Sequence, residues 1–138
     1  MWFAGLIRVN HKNRFIHVFC MIRVAQELKK KPEVSVEEFQ GFILKNYAGF
    51  LKKLAGLRSA SVKFVYGGYQ VEELPVDCCI EMEFRNEDLF KKAVESEEAR
   101  RILEEMNKLA ERSVFLYLRE KAVKKPQPKQ ARKKIKRR

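Results

Sequence analysis

The fold is decided by residues 77–90, which have the sequence DCCIEMEFRNEDLF. Apolar and polar side chains alternate over the first eight positions, and this period of two predicts a strand with one buried face. The apolar face carries Cys78, Ile80, Met82 and Phe84. Asn86 is a favourable N-cap residue, and the apolar spacing that follows it predicts a helix. The stretch therefore predicts a strand followed directly by an amphipathic helix.

Similar units lie on the N-terminal side of this stretch. Residues 15–28 and 57–66 alternate in the manner of strands, and a helix is predicted between them. Ser35 with Glu38 three positions later forms a capping-box pattern, and an apolar stripe of helical period follows. Gly56 is expected to end the helix, because glycine adopts positive φ at little cost.

The C-terminal side completes the pattern. Ser96 is a second cap, the helical stripe continues to about Ala110, and residues 113–119 alternate as a last strand. The order β-α-β-β-α-β predicts an α+β domain of ferredoxin-like type, with both helices on one face of an antiparallel sheet.

The chain has 138 residues and a net charge of +12, but the charge is unevenly distributed. Thirteen of the 30 Lys and Arg residues lie in residues 1–20 and 121–138, which contain no acid. The middle therefore has 17 bases against all 18 acids, so the predicted domain, residues 21–123, is close to neutral. Residues 1–20 are either an added leader or an extra strand, since Met21 is as good a candidate start as Met1.

Residues 124–138 are expected to form a disordered basic tail, because they contain few side chains that a core could bury. The tail is either a solvating segment or an anchor for polyanions that contacts nucleic acid without reading bases. Residues expected to make such contacts are Lys133, Lys134, Lys136, Arg137 and Arg138.

The cysteine count and the absence of long apolar stretches limit the class of protein. Three cysteines without a secretory signal favour a reducing, cytoplasmic location over a disulfide framework. No stretch approaches the ~20 apolar residues of a transmembrane helix. No Gly-rich phosphate loop, G-x-S-x-G or C-x-x-C pattern is present, and His11 and His17 lack a ligand spacing. We therefore expect no cofactor, no metal and no membrane partner.

The sheet face opposite the helices is the second informative feature. It is predicted to carry charged residues, among them Arg23, Lys63 and Glu81, and the aromatic pair Phe115 and Tyr117. Exposed aromatic side chains such as Phe115 and Tyr117 would form an apolar patch, and such patches are typical of interaction surfaces. Two such sheets facing each other would form a homodimer around a cavity. The alternative is a solvated sheet face with two exposed aromatic residues.

Several segments resemble EthD-like proteins of the dimeric α+β barrel superfamily. They are residues 21–24, 30–39, 51–57, 77–84, 86–89 and 96–99, so the resemblance spans about residues 21–120. It implies a ferredoxin-like subunit, a dimer with ligand pockets and a link to oxidative degradation. Many of these proteins have a histidine near the end of the first helix, where this chain has Tyr47-Ala48-Gly49.

Three residues are candidates for acid–base chemistry. Tyr47 is either a core aromatic residue or a hydrogen-bond donor at a pocket mouth. Glu81 and Glu83 share one strand face about 6.6 Å apart and can divide acid and base roles if their pKa values differ. Glu27 is a possible third carboxylate. The alternative is that Arg23 and Lys63 form ion pairs with these carboxylates on a hydrated surface.

These observations lead to two functional hypotheses. The first is a homodimer that binds a small, partly apolar molecule. With Tyr47, Glu81 and Glu83 as catalytic residues, it would perform a cofactor-independent, monooxygenase-like oxidation, or else a cyclisation or rearrangement. Substrate contacts are then expected from Arg23, Lys63, Phe115 and Tyr117. The second is a non-enzymatic dimerisation module whose basic tail contacts nucleic acid.

Overall fold

The computed structural model describes residues 20–124 and residue 126, which form one four-stranded antiparallel sheet with helices. The strands are β1 (Ile22–Lys30), β2 (Leu57–Phe64), β3 (Cys78–Phe84) and β4 (Ala110–Leu118), in the spatial order β2-β3-β1-β4. This arrangement confirms the predicted ferredoxin-like α+β fold. Apart from Cys20, Lys124 and Pro126, the predicted leader and tail lie outside the described residues.

The first helical region is a continuous helix with an irregular middle. It consists of α1 (Val36–Gly41), a π-helical segment (Phe42–Tyr47) and α2 (Ala48–Lys52). The Ser35 hydroxyl accepts a hydrogen bond from the Glu38 N–H at 3.0 Å, as the capping pattern predicts. Gly56 has a φ of 87°, so it adopts the left-handed conformation expected after the helix.

The second helical region consists of α3 (Glu87–Glu95) and α4 (Glu97–Asn107). The Asn86 side chain caps α3 by accepting from the Leu89 N–H at 2.9 Å. Ser96 caps α4 in the same way through the Ala99 N–H. Among the described residues, no helix is long and apolar enough to cross a bilayer.

The core lies between the helices and one face of the sheet. From the strands it contains Val24, Leu28, Cys78, Ile80, Met82 and Phe84, and from the helices Phe39, Ile43, Tyr47, Phe90 and Met106. All of these side chains are buried, so the predicted apolar faces of the helices and of β3 are the ones that pack together.

The two aromatic residues of β4 lie on the face opposite to the predicted one. Phe115 pairs with Gln26 and Tyr117 pairs with Val24, which place both rings on the helix side of the sheet. Both rings contact Phe90 edge-to-face, with centroid separations of 5.5 and 5.8 Å. The prediction was wrong because β4 is apolar on both faces, so alternation alone does not identify the buried face. The pairing with β1 determines it.

Candidate functional site

The sheet separates the predicted site residues into two groups. Tyr47, Phe115 and Tyr117 lie on the helix side, as the packing around Phe90 and the buried position of Tyr47 show. The remaining four lie on the open face and are Arg23, Lys63, Glu81 and Glu83. Tyr47 and the two glutamates therefore cannot act on the same small molecule within one subunit.

The open face has a charged depression of about 470 Å³ that extends from β2 and β3 across β1 to the end of β4. Arg23, Glu81 and Glu83 line it together, so three of the predicted residues do meet. Lys63 Nζ lies 2.8 Å from a carboxylate oxygen of Glu81, and an Arg23 guanidinium nitrogen lies 2.6 Å from an oxygen of Glu120. These side chains are about half exposed, so each pair contributes little to stability.

An apolar strip on β4 meets this depression at Leu118, which lines it. Val114, Leu116 and Leu118 occupy the open face, because their partners on β1 are Glu27, Ala25 and Arg23. Leu116 and Leu118 are 43% and 44% exposed. The apolar residues of the open face are thus aliphatic and replace the aromatic pair that the sequence predicted there.

The helix side contains a buried polar network that sequence reasoning missed. The Tyr47 hydroxyl donates to Oε1 of Gln26 at 2.6 Å, and Nε2 of Gln26 donates to the Ser113 hydroxyl at 3.1 Å. Gln26 is 0% exposed and Tyr47 is 2% exposed. The available signal was one polar residue in the apolar row of β1, since a buried amide requires partners.

The position of Tyr47 depends on the π-helical segment that it ends. A π-turn has one more residue than an α-turn, and such segments are frequent at functional sites. The Tyr47 ring lies in the core and not at a pocket mouth, which agrees with the first of the two alternatives given for this residue. Burial raises the pKa of the Tyr47 hydroxyl, so the group is protonated at neutral pH and acts as a donor.

A cleft of about 290 Å³ opens between α2 and the edge strand β2. It is lined by the apolar side chains of Ala48, Leu51, Leu57, Ala60 and Val62, and by Ser59, Lys52 and Arg58. Neither Lys52 nor Arg58 has a carboxylate within 4 Å in the part of the chain that the structure describes. The cleft thus combines an apolar wall with two cations that have no counter-ion among the described residues; the Arg58 guanidinium donates to the Met21 sulfur at 3.2 Å.

The two adjacent cysteines point to opposite faces of β3. Cys78 is buried on the helix side, and burial raises its pKa to about 12. Cys79 lies on the open face, where partial burial and then the nearby Glu81 and Glu27 carboxylates raise its pKa. Within residues 20–124, no group of three or more His, Cys, Asp or Glu side chains is arranged to hold a metal ion.

Comparison with solved structures supports this description of the fold. A protein of the ethyl tert-butyl ether D (EthD) family from Bacillus halodurans is 19% identical, with a TM-score of 0.60, and the match covers 74% of this chain and 100% of that one. SnoaB, a cofactor-independent oxygenase from Streptomyces nogalater, is 10% identical with a TM-score of 0.56, and the match covers 75% of this chain and 95% of that one.

A third similar structure is a dimeric ferredoxin-like protein of unknown function from Thermobifida fusca. It is 12% identical with a TM-score of 0.59, and the match covers 71% of this chain and 89% of that one. No curated protein matches this chain. The family model described as EthD domain matches residues 31–113, which run from the end of β1 into β4. Because this match spans more than half of the sequence, the chain belongs to the EthD family.

Proposed function

We propose that this protein is a homodimer that binds a small, partly apolar molecule with an anionic end in the cleft between α2 and β2. The observation that carries the proposal is the composition of that cleft, in which five apolar side chains adjoin Lys52 and Arg58. Ligand sites are commonly apolar cavities with a few placed polar groups that fix orientation. A carboxylate or sulfonate would supply the counter-ion that the described chain does not.

The ligand proposal can be tested with anilinonaphthalene sulfonate, a fluorescent aromatic sulfonate. We expect Lys52→Gln/Arg58→Gln to weaken binding about ten- to hundred-fold, because hydrogen bonds to charged groups contribute roughly 1.5–3 kcal/mol. Lys45→Gln is the matched control, since Lys45 is an exposed lysine of the same helical region that does not line the cleft. Unchanged affinity in the double variant, with its melting temperature preserved, would contradict the proposal.

The homodimer part rests on the open face of the sheet. The strip of Val114, Leu116 and Leu118 exposes aliphatic surface next to a charged depression, and a second copy facing it would remove that surface from water. The dimeric state of similar proteins, including the one from Thermobifida fusca, supports the same proposal.

The dimer test uses one substitution on each side of the molecule. Leu116→Asp introduces a charge into the proposed interface, where burial without a partner costs several kcal/mol. Light scattering should then show a monomer. Leu44→Asp is the control, because Leu44 is an exposed leucine of the π-helical segment, away from the sheet face. A Leu116→Asp protein that dimerises as tightly as the unaltered chain would exclude this interface.

Oxidation of the bound molecule without a cofactor is a second candidate function. The likeness in fold to SnoaB, a cofactor-independent oxygenase, supports this candidate. The cleft residues Lys52 and Arg58 can stabilise negative charge on a substrate oxygen, whereas the Tyr47 hydroxyl donates its hydrogen bond to Gln26. Oxygen uptake with a hydroquinone as substrate is the test. Enzyme-dependent uptake that is lost in Lys52→Gln/Arg58→Gln would support oxidation at the cleft, and uptake at the uncatalysed rate would mean that the protein binds the molecule without oxidising it.

A further inference from the structure

The sheet side of the cleft between α2 and β2 is the edge of a strand. In the order β2-β3-β1-β4, β2 pairs with β3 on one side and with no other strand of the described chain. Ser59 and Ala60 both line the cleft, although their side chains point to opposite faces of the sheet. The cleft therefore runs along the backbone edge of β2, where a ligand can reach N–H and C=O groups as well as side chains.

The hydrogen bonds to β3 identify which backbone groups of β2 face outward. In an antiparallel pair, residues that exchange both hydrogen bonds with their partner alternate with residues that exchange none. The Val65 N–H donates to the Asp77 carbonyl at 2.9 Å, so Val65 is a residue of the first kind. Counting back in steps of two places Ser61 in the same class. Ala60 and Val62 therefore direct their N–H and C=O groups away from β3.

These outward groups have no partner within the part of the chain that the structure describes. No turn, loop or side-chain hydrogen bond there reaches the backbone of Ala60 or Val62. Ala60 is also exposed. An edge of this kind is a template on which an extended ligand can form the next strand.

We propose that the ligand of this cleft is an N-acyl amino acid, an inference that rests on the proposed function of the cleft. Its amide N–H would donate to the Ala60 carbonyl, and its carboxylate would accept from the Ala60 N–H, as one residue of an added antiparallel strand. The cleft volume of about 290 Å³ is at the lower end for small-molecule sites, which fits one acylated residue better than a long peptide.

The cations and the apolar wall fit this arrangement. An antiparallel ligand paired with Ala60 has its acyl chain beside Val62 and its carboxylate on the side of Arg58. The Arg58 guanidinium gives one of its five N–H donors to the Met21 sulfur, so the others can bind the carboxylate. The ligand side chain would share the helix side of the sheet with Ala60, where Leu51 of α2 lines the cleft, so an apolar amino acid is favoured.

This contact uses a different part of the sheet from the proposed dimer. The aliphatic strip of the dimer lies on the open face of β4, and β2 and β4 are opposite edge strands of the described sheet. Neighbouring strands are about 4.8 Å apart, so the two edge strands are separated by roughly 14 Å. The edge of β2 and the dimer strip can therefore be occupied at the same time.

Two probes that differ in one group test the inference. N-hexanoyl-L-leucine has the amide N–H, whereas O-hexanoyl-L-leucic acid has an oxygen in its place and keeps the carboxylate, the side chain and the acyl chain. Each probe is titrated against anilinonaphthalene sulfonate bound to the full chain. We expect the amide to bind about ten-fold more tightly, because the ester leaves the Ala60 carbonyl without a donor.

The outcomes separate this inference from the proposal on which it rests. Equal affinity of the two probes, with both weakened by Lys52→Gln/Arg58→Gln, would overturn the amide inference and leave the anion-binding cleft in place. If neither probe displaced the dye, both the inference and the proposed function of the cleft would be wrong.

Amide hydrogen exchange, followed by NMR on the full chain, tests the contact with the backbone. The Ala60 N–H should exchange fast in the free protein and at least about ten-fold more slowly with saturating N-hexanoyl-L-leucine. The Ser61 N–H faces β3 and is the matched control, so it should exchange slowly in both states. Slow exchange of Ala60 without ligand would mean that another segment or a second copy covers this edge. That result, or equal slowing at Ala60 and Ser61, would overturn the inference.

Discussion

Replacing Tyr47 by phenylalanine removes a single oxygen atom from the buried network and leaves the ring in place. The removed hydroxyl donates to Gln26 at 2.6 Å, and both side chains are almost fully buried. The substitution leaves the Gln26 carbonyl oxygen without its donor, and an unsatisfied buried acceptor costs about 1–3 kcal/mol. In a domain of about 100 residues, this loss lowers the melting temperature by roughly 5–15 °C.

The measurement is urea unfolding at one fixed protein concentration, because dimerisation would otherwise change the apparent stability. The double variant Tyr47→Phe/Gln26→Leu removes both partners and should be less destabilised than the sum of the two single variants, by about 1 kcal/mol. A loss below about 0.3 kcal/mol for Tyr47→Phe, or strict additivity in the cycle, would refute the network as a stabilising contact.

Two further predictions concern the turn after α2 and the cysteines. Gly56→Ala should destabilise the domain by about 1–2 kcal/mol or more, because φ is 87° and an added Cβ would lie 2.7 Å from a side-chain carbon of α3. Gly49→Ala is the control: an added Cβ there meets nothing within 4 Å, so the substitution should stabilise its helix slightly. Urea unfolding of both variants checks the difference. In a Cys20→Ser background, Cys79 should react with a disulfide reagent at higher pH than an ordinary cysteine thiol does, because its pKa is raised. The buried Cys78 should not react in the folded protein.

The helix ends and most strand faces could be predicted because each depends on local chemistry. Ser35, Asn86 and Ser96 accept the free backbone N–H groups of the turns that follow them, and this requires only the residue itself and its position. The alternation in β3 is clear because Glu81 and Glu83 differ sharply from their apolar neighbours. These features needed no knowledge of distant contacts.

The parts that could not be predicted depend on contacts between segments far apart in sequence. In β4 both faces are apolar, so only pairing with β1 shows that Phe115 lies on the helix side. Gln26 forms hydrogen bonds with Tyr47 and Ser113, which lie 21 and 87 positions further along the chain. Its role appears only when the sheet and the helix come together. The cations Lys52 and Arg58 became candidates because the fold places them at one cleft. The roles predicted for Glu81 and Glu83 stay predictions.

The π-helical segment has a consequence for comparing this chain with its relatives. Phe42–Tyr47 contains one residue more than an α-helix of the same rise would need. Removing one residue here would restore a regular helix, and because the wider π-turn absorbs the extra residue, the later side chains would stay on nearly the same faces of the helix. A relative without the extra residue should therefore show a one-residue gap in its alignment at this helix, with the core-facing positions on both sides of the gap preserved.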